Sequence, residues 1–106
     1  MTSYLLIESG SDREAPDAAG LRELAAGLSR RGHDVVLFLL QNAVLTGPAG
    51  PPIDDLLRSG VQVWVDELSV AARAPGTERG PDGVRLAGMP DLVQRLMTPG
   101  VRPVWH

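Results

Sequence analysis

The chain contains no cysteine and no lysine, so all ten basic residues are arginines. Without a thiol there is no disulfide, no thiolate nucleophile and no thiolate metal ligand. Without an ε-amine there is no Walker-type phosphate lysine, no Schiff base and no lysine general base. Aromatic side chains are also scarce, at two Trp, one Tyr and one Phe. No apolar run approaches the ~20 residues of a membrane span. Positive charge is in deficit, with a net charge of -3 and a pI near 5.2. A nucleic-acid binder needs a basic face to meet phosphates, so no nucleic-acid partner is expected. His33 and His106, with no cysteine to join them, do not make a zinc site, and no cofactor is implied.

What is present is 106 residues with 43% apolar content. That suits one domain over 1–106, burying roughly two-thirds of its unfolded surface. Met1-Thr2-Ser3 runs straight into Tyr4-Leu5-Leu6-Ile7 with no basic region before it, so the expected location is the cytoplasm, away from the membrane.

Tyr4 to Ile7 reads as a buried strand ending in Glu8-Ser9-Gly10. After the polar stretch Ser11 to Ala15, Pro16 and Asp17 suit a helix start. Leu21, Leu24, Ala25 and Leu28 follow at one-face helical spacing, and Gly32 is placed as a left-handed stop. Val35 to Leu40 is apolar at every position, the mark of a strand covered on both faces. Gln41 and Asn42 end it, and Gly47 to Pro52 is too rich in breakers for regular structure.

A short helix is expected next, with Asp54 and Asp55 in its first turn, Ile53, Leu56 and Leu57 on its buried face, and Gly60 closing it. Val61 to Val65 is a third strand and Leu68 to Arg73 a short helix. Pro75 to Gly83 is a polar loop placed to act as a lid, and Val84 to Leu86 adds a small strand. Pro90 and Asp91 open a last helix with an apolar stripe of Leu92, Val93, Leu96 and Met97. Val101 to Trp105 ends as a strand, placed at a sheet edge or expected to be irregular because Pro103 cannot donate to a ladder. Alternation of strand and helix predicts a three-layer α/β/α sandwich on a mainly parallel sheet of four to five strands.

Ligands of such sheets bind outside the carboxyl ends of the strands. The residues expected there are Glu8, Ser9 and Gly10, then Gln41 and Asn42, then Asp66 to Ser69, with Arg73 able to hold an anion over them. Asp66 has two readings: cap of the following helix, or ligand contact. His33 reads as structural and His106 as a frayed end. Trp64 and Trp105 are expected in the core or at a subunit interface, and Ala18, Ala19 and Ala25 would suit close packing of copies.

Four segments together resemble the DsrE-like sulfur-relay family. They are Leu5-Leu6-Ile7-Glu8-Ser9-Gly10, Arg31-Gly32-His33-Asp34-Val35-Val36-Leu37-Phe38-Leu39, Asp55-Leu56-Leu57-Arg58-Ser59-Gly60-Val61-Gln62-Val63 and Leu86-Ala87-Gly88-Met89-Pro90-Asp91-Leu92-Val93. The resemblance implies assembly into trimers or hexamers. In active members it implies a cysteine just after the third strand that accepts and passes on sulfane sulfur. That position falls at Asp66 in one register and at Ser69 in the other, and neither is a thiol. The expectation is a non-catalytic binding or scaffold protein, homo-oligomeric or paired with a cysteine-bearing paralogue. The alternative is an enzyme that uses Asp66 or Glu67 as general base on a small molecule.

Overall fold

A computed structural model of the chain describes residues 2–10, 18–46, 51–75 and 83–106. Strands β1 (Ser3–Glu8), β2 (Asp34–Leu39), β3 (Gln62–Asp66), β4 (Val84–Ala87) and β5 (Val101–Trp105) form one sheet in the order β4-β3-β2-β1-β5. Every pairing in it is parallel. Helices α1 (Ala18–Arg30), α2 (Pro51–Arg58), α3 (Glu67–Arg73) and α4 (Met89–Leu96) fill the crossovers, with a 3₁₀ turn over Gln41–Thr46. The result is the expected α/β/α arrangement.

The alternation of side chains along each strand divides the core in two. Leu6, Val35, Leu37, Leu39, Val63 and Val65 face Leu21 and Ala25 of α1, Ile53 and Leu56 of α2, and Val70 of α3. On the opposite face Leu5, Ile7, Val36, Phe38 and Trp64 pack with Leu92 of α4. The connections from β1 to β4 all step the same way across the sheet. The return to β5 steps back, so right-handed crossovers put α4, alone among the described helices, on the second face.

Two helix stops repeat one device. After α1, Gly32 at φ +89° lets its amide reach Ser29 O while the His33 amide reaches Leu28 O. After α2, Gly60 at φ +93° does the same toward Leu57, and Val61 toward Leu56. These are Schellman turns, and only glycine takes that backbone without strain. Pro103 does sit on an edge strand, since β5 pairs with β1 alone.

Several expectations are corrected. Pro51 and Pro52 belong to α2 rather than to a loop, because a helix's first amides need no intrahelical acceptor and proline loses nothing there. Leu24 is 46% exposed, and Ala26 is buried in the stripe instead. Ala25 is fully buried, so it cannot line a subunit contact. Val93 and Met97 face outward from α4, leaving Leu92 as its buried anchor. Trp105 is 62% exposed, which excludes the core from its two expected places. The expectations for residues 11–17, 47–50 and 76–82 lie outside the described residues.

Candidate functional site

Because all five strands run the same way, their carboxyl ends gather at one rim. The structure brings the expected residues to that rim, in two separate groups.

The first group stands after β2 and β3. Asp66 leaves the strand in extended backbone at φ -71° and ψ 122°, and its Oδ2 accepts the Ser69 amide at 3.0 Å. That is an N-cap: the acid satisfies an amide in the first turn of α3 that has no partner in the helix. Oδ2 also accepts the Ser69 hydroxyl at 2.6 Å, and Ser69 Oγ in turn accepts the Gln41 amide at 2.8 Å. Gln41 reaches it from a left-handed backbone at φ 53°, the one non-glycine residue at positive φ among the described residues. Asp66 and Ser69 are 4% and 5% exposed, so this chain of bonds is closed off from solvent. One atom is left over: Asp66 Oδ1 is buried with no partner among the described residues. Farther out, Arg73 Nε donates to Asn42 Oδ1 at 2.8 Å, which ties α3 to the 3₁₀ turn. Glu67 is exposed.

The second group stands after β1 and β5. Glu8 is 3% exposed, a deeply buried carboxylate for a chain of this size. Its two oxygens each lie 2.9 Å from His106 Nδ1, and Oε2 also accepts the Ser9 amide at 3.1 Å. The backbone makes the same junction: the His106 amide donates to Ile7 O at 2.8 Å and the Ser9 amide to His106 O at 3.2 Å. Among the described residues the Ser9 hydroxyl makes one long bond, 3.4 Å to His106 O. His106 is therefore clasped rather than frayed, and Glu8 is paired. Sequence spacing gives no sign of a contact across 98 residues; it exists because β5 is laid beside β1. A small void of about 10 Å³, room for one water at most, lies beneath Glu8 and Gly10 against Arg22, Leu39, Ala43 and Ile53.

Other candidates fall elsewhere. His33 lies at the amino rim, where its Nδ1 accepts the Thr2 amide at 3.1 Å and its ring meets Tyr4 edge-on. This is a structural role. Trp64 packs edge-on against Phe38, with the Arg85 guanidinium 4.4 Å over its ring. An open groove of about 610 Å³ between α1 and α2, lined by Arg22, Glu23, Arg30 and Asp55, holds none of the expected site residues. Its charged side chains are arranged as an ordinary solvated helix surface, which gives it less weight as a site. Among the described residues no group of three or more acidic or histidine side chains is placed to hold a metal ion, and no helix is long and apolar enough to cross a membrane.

No protein-family model matches the chain. The crystal structure of the YchN protein of E. coli superposes with a TM-score of 0.80 at 21% identity, covering 98% of this chain and 100% of that one. The two share a fold, the DsrE-like arrangement of a parallel sheet between helices. The uncharacterized protein MJ0760 of Methanocaldococcus jannaschii is 39% identical over 62 residues, 55% of this chain. That stretch is 22% of the archaeal protein, so the chain spans only a fraction of its length.

Proposed function

We propose that this chain is a thiol-free DsrE-like protein that assembles and binds, and does not itself carry sulfane sulfur. The observation that carries this reading is the junction of β3 and α3. Where active members of the family hold a cysteine, Asp66 and Ser69 are bonded to each other and buried. Neither group holds a persulfide, and the serine hydroxyl is already spent as donor to Asp66 and acceptor from Gln41. The protein would act in the cytoplasm as a trimer or hexamer, or as the partner of a cysteine-bearing paralogue. Ser9, Gly10, Gln41, Asn42, Asp66, Ser69 and Arg73 remain the candidate contacts of a small ligand. The outward stripe Met89, Val93 and Met97 on α4 supports contact with a second copy, since exposed apolar surface of this kind marks interfaces.

The test is intact mass after incubation with polysulfide, with and without a reductant. The expected result is no reductant-sensitive gain of sulfur. A covalent sulfur adduct that passes to an acceptor thiol would remove the reading.

One observation favours a second reading, an enzyme with Asp66 or Glu67 as general base: Asp66 Oδ1 is buried and unpaired among the described residues. Asp66→Asn separates the two readings. It keeps an oxygen for the cap but sets a buried amide where Oδ1 has no partner, so stability falls on either reading, and only with Asp66 as the base is turnover lost in the folded variant.

A further inference from the structure

The strand order reverses at one place. β1 to β4 are laid side by side in one direction, and β5 is added on the other side of β1. In open parallel sheets ligands are held outside the carboxyl ends of the strands, and those of β1 and β5 lie side by side. The groups at that part of the rim are Glu8, Ser9 and Gly10 from the end of β1 and His106 from the end of β5. Asp66 stands two strands away, across β2.

We propose that Glu8 and His106 form an acid–base dyad at this open rim, with His106 Nε2 as general base for the hydrolysis of small carboxylic esters. The dyad lies apart from the Asp66 and Ser69 junction, and sulfur relay does not require it. An ionised carboxylate only accepts, so the 2.9 Å contacts from both Glu8 oxygens put the imidazole proton on Nδ1. In the neutral imidazole this tautomer leaves the lone pair on Nε2, which has no partner among the described residues. The His106 side chain is 33% exposed and the Glu8 side chain 5%, so the base is reachable while its orienting carboxylate is not. Backbone bonds of the β1–β5 junction hold both residues at the same point, so the pair is preorganised. The Ser9 hydroxyl, whose one bond among the described residues is the long one to His106 O, is a donor at the same junction for a developing oxyanion.

A single base beside a neutral donor suits acyl transfer. Phosphoryl transfer needs clustered cations, and Arg22 is the one described arginine lining the void under Glu8. In the reaction Nε2 takes a proton from water as the water oxygen bonds to the acyl carbon. The bond from that carbon to the leaving oxygen then breaks, and the alkoxide or phenolate departs. The imidazolium, stabilised through Nδ1 by Glu8, returns its proton to solvent. His106 is the catalytic residue and Glu8 a positioning residue.

The experiment is hydrolysis of p-nitrophenyl acetate by the full chain, set against an equal concentration of free histidine. The variants are His106→Gln, Glu8→Gln and, as a control, His33→Gln, each first shown by circular dichroism to be folded. Wild type is expected to exceed the free-histidine rate. His106→Gln should fall to background, a loss of roughly 10²-fold or more. Glu8→Gln should lower kcat about tenfold or more with KM little changed, and His33→Gln should match wild type. Imidazole ¹⁵N spectra should report the Nδ1-protonated tautomer of His106 in wild type and a mixture in Glu8→Gln. A wild-type rate no higher than free histidine, or a folded His106→Gln at the wild-type rate, would overturn the activity and leave a structural clasp. An unchanged kcat and tautomer in Glu8→Gln would overturn the dyad.

Discussion

Asp66 shows how one side chain serves its neighbours. Its Oδ2 holds both the amide and the hydroxyl of Ser69, and through that hydroxyl it fixes Gln41. Asp66→Ala should lose on the order of 1 kcal/mol, the usual worth of a cap, as read from urea denaturation. Backbone strain gives a second contrast. Gly32 and Gly60 both lie at positive φ, but a Cβ on Gly60 would stand 3.0 Å from Ser29 Oγ, whereas one on Gly32 meets nothing. Ser29 Oγ is committed to Ser59 O at 2.6 Å and gives way only by losing that bond. Gly60→Ala should therefore cost more than Gly32→Ala, and an equal loss in both would show that the hydroxyl moves freely. The cap at Asp66 is readable in the sequence, because an acid just before an apolar helical stretch has a local reason to be there. The Glu8 and His106 pair is not readable, because nothing near either residue refers to the other.

Among the elements, α4 has the least help. It is eight residues long and covers its face of the sheet with no second helix among the described residues. Leu92 is its buried anchor, while Val93 is more than half exposed. Leu92→Ala should cost about 2–5 kcal/mol and Val93→Ala within about 0.5 kcal/mol, measured by thermal or urea unfolding. Near-equal losses would mean that α4 is held by something other than this contact. The stripe Leu92, Val93, Leu96 and Met97 is visible in the sequence as apolar spacing. Spacing alone does not say which part faces inward, and packing against the sheet beneath the helix selects Leu92 and, in part, Leu96. The same limit applies to α1, where Leu24 has the right spacing but turns out to solvent.

Across the assembled chain, the exposed α4 stripe bears on association. Native mass spectrometry at micromolar concentration should show a defined oligomer. Val93→Asp and Met97→Asp should shift it toward monomer, because a charge in an apolar contact loses its solvation without gaining a partner. A wild-type monomer under those conditions would count against assembly. If both variants keep the wild-type oligomer, contact is made through another surface.

Local chemistry sets the α/β alternation, the glycine stops, the edge place of Pro103 and the cap at Asp66. Each depends on residues close together in the chain: apolar period, backbone freedom, a missing amide hydrogen, an acid before a helix. The pairing of residue 8 with residue 106, the outward turn of Leu24 and Met97, and the position of the sheet's reversal between β1 and β5 come only from the folded arrangement. These depend on which strands become neighbours, and that choice is settled by burying every apolar face at once.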